Sequence, residues 1–282
     1  MDYIKNIIGH TLNLKGYFMK KLALVLGGGA SKGYAHIGVL KVLEDNGIIP
    51  DLIVGTSMGA VIGGAYACGK DTYHLIKICR QLTRGKLMDF NPLNTLFSTG
   101  IMSGKKLKKI LLSELGSTSH NQTIIPFVSI ATDIYEGKLV VLKSGNVVDN
   151  ILASSAIPGV FPAVKINNQL LCDGGVLNNV PDDIARKLKS DYIIVAIDVI
   201  GQYNKQVENT RIKIMGVTLN ALTLMQTEIT RLKGNNSDLR IVISQPDVNQ
   251  MSFDEESVKK SISYGENAMK SNLSKLKKLL ND

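Results

Sequence analysis

The sequence predicts an α/β sandwich with a mainly parallel central sheet. Apolar runs of strand length alternate with segments of helical periodicity, and this alternation is typical of parallel sheets covered by helices. No Pro-, Gly- or Ser-rich linker interrupts the pattern. Of the 282 residues, 44% are hydrophobic and 20% are charged, which suits a buried core and excludes a disordered chain.

The N-terminal stretch differs from the rest. Residues 1–18 carry Ile4, Ile7, Ile8 and Leu12 at helical spacing, and Met19 offers a second start. We expect an amphipathic appendage over 1–18 and one domain over 19–282.

The following elements are predicted in order from their apolar patterns and stop signals. Gly47 ends the first helix, Pro158 limits the fifth, and Asn167-Asn168 forms a hairpin turn. The predicted strands cover 22–26, 52–54, 126–132, 138–142, 163–166, 169–172, 192–197 and 239–243. The predicted helices cover 32–46, 58–67, 71–83, 103–115, 147–155 and 181–188, with two long helices around the last strand. Residues 85–102 have poor periodicity and could pack on the core or cover a site.

The cysteine and histidine content indicates the cellular compartment of the protein and whether it binds a metal or another cofactor. The three cysteines, Cys68, Cys79 and Cys172, form no CxxC pair and fit a reducing compartment. The four histidines are scattered, so no metal site or other cofactor is expected. The uncharged stretch 52–69 is interrupted by glycines and reads as strand, turn and helix rather than a membrane span. We expect a cytoplasmic protein with peripheral contact to the inner face of the membrane.

The net charge of +9 is concentrated in two segments. Lys105, Lys106, Lys108 and Lys109 form one, and six lysines within 259–278 form the other. Such faces are usually only solvated, but they also suit anionic lipid. Nucleic acid is not expected, because no basic stretch alternates with aromatic residues and no binding motif is present.

The sharpest chemical signal is Gly55-Thr56-Ser57-Met58-Gly59, a G-x-S-x-G sequence between a strand and a helix. This context is the one a nucleophile elbow needs, with glycines at Gly55 and Gly59 permitting the sharp turn. Ser57 would stand at the strand end beside a helix N-terminus that favours negative charge. A structural glycine turn is the alternative.

A catalytic base for Ser57 is less obvious. No histidine follows His120, so the Ser, Asp, His order of the α/β-hydrolases is poorly supported. Asp173, in Asp173-Gly174-Gly175 after a hairpin strand, is the better candidate, although Asp-Gly is often only turn chemistry. With a reference pKa of about 3.9, an aspartate acts as a base only in a preorganised, partly dry site.

A glycine loop at residues 27–33 joins the first strand to its helix. Its amides could form an oxyanion hole or could hold a phosphate. The loop fits neither the Walker A nor the G-x-G-x-x-G spacing.

The ordered set of glycine loop, G-x-S-x-G and D-G-G resembles the patatin-like phospholipase family. The block 153–162, ASSAIPGVFP, is similar to that family's A-S-x-x-x-P…F-x-P sequence, and the likeness extends from about residue 20 to 199. The resemblance implies a three-layer patatin-like sandwich and a dyad of Ser57 as nucleophile and Asp173 as base, with no metal. It also implies oxyanion amides at Gly28, Gly29 and Ala30, where Ala30 replaces the usual glycine and would be strained at positive φ.

Several functions stay open. The first is a serine lipid acyl hydrolase acting on phospholipids, lysophospholipids or simple esters through an acyl-Ser57 intermediate. The second is a carboxylesterase or thioesterase with the same dyad. The third is a catalytically weak regulatory protein at the membrane, and the fourth is a nucleotide-binding α/β protein. The oligomeric state is not predicted.

Overall fold

The computed structural model describes residues 20–84, 100, 102–201, 214–250 and 252–282. The predicted appendage at 1–18 and most of the segment 85–102 lie outside these ranges. The strands are β1 (Leu22–Leu26), β2 (Leu52–Thr56), β3 (Phe127–Asp133), β4 (Lys138–Leu142), β5 (Val164–Ile166), β6 (Gln169–Asp173), β7 (Ile193–Asp198) and β8 (Leu239–Val242).

Eight α-helices connect and cover these strands within the described ranges. They are α1 (Ala35–Asp45), α2 (Met58–Ala67), α3 (Thr72–Arg84), α4 (Lys105–Leu115), α5 (Val147–Ser154), α6 (Asp182–Leu188), α7 (Ile214–Lys233) and α8 (Glu255–Asn281). In these ranges no helix has both the length and the apolar content required to traverse a bilayer.

The sheet has eight strands in the order β5-β6-β3-β2-β1-β7-β8, and β4 pairs with β3 outside this path. The five central strands, from β3 to β8, run parallel to their neighbours. The prediction of a mainly parallel sheet is confirmed for this part. The strands β4, β5 and β6 are antiparallel additions at one end.

Two predicted boundaries differ from the structure for local reasons. The helix predicted from residue 32 begins at Ala35, because a 3-10 turn over Ala30–Tyr34 precedes it. The strand predicted to end at residue 54 continues to Thr56, because β2 stays paired with β3 as far as Ile130.

The central sheet separates two apolar layers. Along β1 the side chains alternate, so that Leu24 and Leu26 enter a large cluster with α1, α2, α3 and α8. Val25 enters a smaller cluster on the opposite face with Ile184 and Ala185 of α6. This is the period-two division expected of a strand buried on both faces, and it gives the sandwich its three layers.

The C-terminal helix packs on the first helix with backbones in contact. A β-carbon on Gly265 of α8 would lie 1.9 Å from the Ala35 carbonyl oxygen, and one on Gly38 of α1 would lie 2.1 Å from that of Ile262. The absence of both side chains permits this approach. Consequently the last helix belongs to the same core as the first strand, and Met269 and Leu276 are fully buried in it.

We expect Gly265→Ala to lower the free energy of unfolding by about 1–3 kcal/mol, because the added methyl group overpacks a backbone contact. Helix propensity alone would raise stability by up to about 1 kcal/mol, so the two effects differ in sign. Chemical denaturation measures the change, and Ser263→Ala, at an exposed position two residues earlier, is the control. Equal effects of both substitutions would show that the close approach is not critical.

Candidate active site

Ser57 and Asp173 meet because two strands share one edge of β3. β2 pairs in parallel with the first part of β3, and its last pair joins Thr56 to Ile130. β6 pairs antiparallel with the remainder, and Asp173 lies opposite Ala131. β4 pairs with residues of both parts and therefore occupies the other edge. The ends of β2 and β6 thus adjoin, and the Ser57 hydroxyl lies close enough to the Asp173 carboxyl to influence its pKa.

Ser57 itself occupies a strained turn between β2 and α2. Its φ is 53° and its ψ is −123°, a backbone conformation that is costly for a non-glycine residue. The two flanking positions must be glycines, because neither has room for a side chain. A β-carbon on Gly55 would lie 2.7 Å from the Gly59 carbonyl oxygen, and one on Gly59 would lie 2.1 Å from that of Leu26. The G-x-S-x-G sequence therefore forms a tight, strained turn between β2 and α2.

Two neighbouring serines at the end of α5 hold this strained turn in place. The Ser57 amide donates to Ser154 Oγ at 3.0 Å, and Ser154 Oγ donates to the Ile130 carbonyl oxygen at 2.6 Å. The Ser155 hydroxyl donates to the Ser57 carbonyl oxygen at 3.2 Å. Both serines lie in the 153–162 block, but nothing in the sequence indicated that they brace the nucleophile candidate.

The glycines after Asp173 fix its carboxylate. The Gly175 amide donates to Asp173 Oδ1 at 2.7 Å. Gly174 passes so close to β3 that a β-carbon would lie 2.2 Å from the Ile130 carbonyl oxygen. A β-carbon on Gly175 would lie 2.5 Å from Gln226 Nε2. Any side chain at either position would displace the carboxylate or its neighbours.

The environment of Asp173 raises the pKa of its carboxyl from 3.8 to about 6. Burial is the main cause, and the hydrogen bonds from the Ser57 hydroxyl and the Gly175 amide oppose it. Because this folded-state pKa exceeds the unfolded value, ionising Asp173 reduces stability. The cost is absent below about pH 3.8 and complete above about pH 6. A base that titrates near neutrality suits proton transfer better than an ordinary aspartate does.

The glycine loop offers amides to the same place. The Gly27 amide donates to the Ile197 carbonyl oxygen at 3.0 Å, and the Gly28 amide donates to that of Asn179 at 3.1 Å. The amides of Gly29 and Ala30 have no hydrogen-bond partner in the described part of the chain. Of the three amides expected as oxyanion donors, the structure thus leaves those of Gly29 and Ala30 unengaged.

Asn179 is a site residue that the sequence analysis missed. Besides accepting from the Gly28 amide, it donates from Nδ2 to the Gly28 carbonyl oxygen at 3.1 Å. Its side chain is buried, and Oδ1 has no hydrogen-bond partner among the described residues. A β-carbon on Gly28 would lie 2.5 Å from this oxygen, so the pairing also requires glycine. This role depends on a tertiary contact, and no motif in the sequence indicated it.

His36 anchors the start of the same loop. Its Nε2 donates to the Gly27 carbonyl oxygen at 2.7 Å. Burial lowers the pKa of the imidazole to about 4, so the ring is neutral at physiological pH. The buried ring therefore packs inside the first helix and also positions the start of the glycine loop.

Residues 245–250 also form hydrogen bonds to this loop. Ser31 Oγ lies 2.9 Å from the carbonyl oxygens of both Asn249 and Gln250. Gln245 donates from Nε2 to the Lys32 carbonyl oxygen at 3.0 Å. These residues follow β8 and lie beyond residue 199, where the sequence likeness to the patatin-like family ends.

One cavity joins these groups. It is lined by Ser57, Asp173, Gly29, Ala30 and Asn179, together with α7 residues that include Gln226. Its volume of about 50 Å³ holds a few water molecules and is far below the several hundred Å³ of a typical ligand pocket. Within the described ranges no three His, Cys, Asp or Glu side chains converge as metal ligands.

The strain at Ala30 can be tested by substitution. Its φ is 46°, which costs a non-glycine residue about 1–2 kcal/mol, whereas glycine adds about 0.4–1 kcal/mol of unfolded-state entropy. We expect Ala30→Gly to raise the free energy of unfolding by up to about 1 kcal/mol, as measured by chemical denaturation. Ala65→Gly, in the middle of α2, should instead lower it by about 1 kcal/mol. A loss of equal size at both positions would contradict the assignment of strain.

The chain is similar to known proteins in both sequence and fold. The chain is 36% identical over 172 residues to an uncharacterized NTE family protein of Mycobacterium tuberculosis, covering 60% of this chain and 47% of that protein. It is 33% identical over 185 residues to patatin-like phospholipase domain-containing protein 6 of Mus musculus, covering 64% of this chain and 14% of that one. The chain therefore spans at most about half the length of these curated relatives.

The solved structure of VipD from Legionella pneumophila has the same fold. Its TM-score is 0.56 at 16% identity, over 92% of this chain and 67% of that one. The sequence model of the patatin-like phospholipase family matches residues 24–186, which is more than half of the chain and includes Ser57 and Asp173. The protein belongs to the patatin-like phospholipase family.

Proposed function

We propose that the protein is a serine lipid acyl hydrolase, which cleaves carboxylic esters of phospholipids or lysophospholipids through a Ser57–Asp173 dyad. One observation carries the proposal: Ser57, in a strained backbone turn, lines the same cavity as Asp173, a buried carboxyl group whose pKa is about 6 and is influenced by the Ser57 hydroxyl. A merely structural Asp-Gly turn requires neither the elbow nor the burial. The family supports a lipid ester as substrate.

In the proposed reaction, Asp173 accepts the proton of Ser57 Oγ as this oxygen attacks the ester carbonyl carbon. The amides of Gly29 and Ala30 donate to the resulting oxyanion. When the tetrahedral intermediate collapses, the carbon–oxygen bond to the alcohol breaks and Asp173 returns the proton to the leaving alkoxide. Water then attacks acyl-Ser57, with Asp173 again as the base, and releases the carboxylic acid.

A short-chain carboxylesterase or thioesterase is the second candidate. The observation in its favour is the small volume of the cavity, about 50 Å³, which accommodates little more than the reacting ester group. Rates on matched esters of increasing acyl length distinguish the two candidates, because a lipid hydrolase gains rate with chain length.

Contact with an anionic membrane belongs to the same proposal. Lys105, Lys106 and Lys109 lie exposed on α4, and Lys108 forms a 3.0 Å ion pair with Asp149. Exposed lysines attract an anionic lipid surface at low salt. This contact would add affinity without taking part in the chemistry.

The nucleophile is tested by labelling with a fluorophosphonate probe. The parent protein should be labelled, Ser57→Ala should not, and Asp173→Asn should react at least about 100-fold more slowly, since a general base contributes about 10²–10⁴-fold. Circular dichroism verifies that each variant is folded. Labelling of Ser57→Ala at the parental rate would show that the nucleophile is elsewhere.

The rate of labelling should also depend on pH. We expect it to rise with a midpoint near pH 6 and to level off above, because only the ionised Asp173 carboxylate accepts the Ser57 proton. Neighbouring groups do not titrate in this interval, since burial lowers the pKa of His36 to about 4 and raises that of Cys172 to about 11. A rate independent of pH between 5 and 8 would exclude Asp173 as the base.

A further inference from the structure

Helix α7 separates the catalytic cavity from solvent. Its inner face contributes Leu219, Leu222, Thr223 and Gln226 to the cavity wall. Thr223 is buried and donates to Gln250 Oε1 at 3.0 Å, which joins the helix to the segment that supports the glycine loop. The inner face of α7 is therefore a fixed part of the candidate active site.

The opposite face of α7 is apolar and exposed. Val217, Leu224 and Met225 are 58%, 45% and 56% exposed, and Ala221 is exposed between them. The spacing i, i+4, i+7, i+8 places these four residues, which we name the outer stripe, along one side of the helix. At about 100° per residue, this side points away from the cavity-lining residues.

The outer stripe contains no charged residue. The first charges on this side are Glu228 and Arg231, one turn further on, and they form an ion pair with each other. Leu232, which is 69% exposed, follows these charges on the same helix, whereas Tyr73 on α3 and Val242 on β8 lie on separate elements. An amphipathic helix with an uncharged apolar side is suited to lie in the plane of a lipid interface.

We propose that the outer stripe of α7 is the surface by which the protein docks on a phospholipid membrane, with the helix axis parallel to the membrane plane. This inference rests on the proposed function, because a lipid hydrolase must draw its substrate from a lipid phase. The opposite face of the same helix lines the cavity, so docking brings the candidate active site within about one helix diameter, roughly 10 Å, of the lipid.

A lipid surface fits the outer stripe better than a second protein does. Three half-exposed aliphatic side chains and one alanine offer much less area than the roughly 800 Å² that each partner of a stable protein complex buries. A membrane that contains anionic lipids supplies further attraction through charge, because the protein carries a net charge of +9. The outer stripe then contributes the apolar part of the binding.

Vesicle flotation tests the proposal with ether-linked phosphatidylcholine and phosphatidylglycerol, which contain no ester to hydrolyse. The triple variant Val217→Gln, Leu224→Gln and Met225→Gln should bind these vesicles at least tenfold more weakly than the parent. The matched control Ile134→Gln and Tyr135→Gln removes two apolar side chains that are 50% and 80% exposed in the β3–β4 turn. It should bind like the parent.

Fluorophosphonate labelling of the same proteins separates the docking surface from the chemistry. The triple variant should be labelled at the parental rate, because its three residues do not line the cavity. Absence of labelling in the parent would contradict the proposed function, whatever the vesicles show. Parental vesicle binding by the triple variant, or no binding by the parent, would overturn the docking proposal.

Light scattering tests whether a second copy of the protein, instead of a membrane, binds the outer stripe. If the parent is a dimer and the triple variant a monomer with unchanged vesicle binding, the outer stripe is a contact between protein copies and the proposal is wrong.

Discussion

The candidate site depends on the way in which β2 and β6 share one edge of β3. β3 offers the same edge to the parallel strand β2 and, beyond Ile130, to the antiparallel strand β6. Backbone pairing on both sides of that point fixes where each strand ends: Asp173 is the last residue of β6, and Ser57 directly follows the last residue of β2. The distance between the two side chains is therefore set by sheet register and not by flexible loops, which is the preorganisation that a proton transfer requires.

This arrangement concentrates unfavourable features in a small volume. Ser57 and Ala30 have positive φ, and Asp173 is a buried carboxylate. Each costs folding free energy, and each is opposed by specific contacts: Ser154 and Ser155 at the elbow, and the Gly175 amide at the carboxylate. Strain and burial at one location, held by satisfied neighbours, are typical of a site selected for reactivity at the expense of stability.

Local patterns predicted most of the fold and indicated the candidate pair. Strand and helix periods located the central elements, and contiguous motifs identified Ser57 and Asp173, because their turn chemistry is encoded within a few residues. Asn179, Ser154 and Gln226 escaped notice because their roles arise from tertiary contacts. A buried asparagine that pairs with Gly28 has no sequence signature. The sequence of α7 predicts only a helix, and the structure is needed to show which of its faces lines the cavity.

The contacts between the glycine loop and residues 245–250 have a consequence for biosynthesis. During synthesis the loop precedes Ser57 and Asp173, and the partners of Ser31 and Lys32 follow these loop residues by 213 to 219 positions. A nascent chain or a fragment ending before residue 245 possesses Ser57 and Asp173 without these supports of the glycine loop. The candidate site is therefore complete only after residues 245–250 have been made.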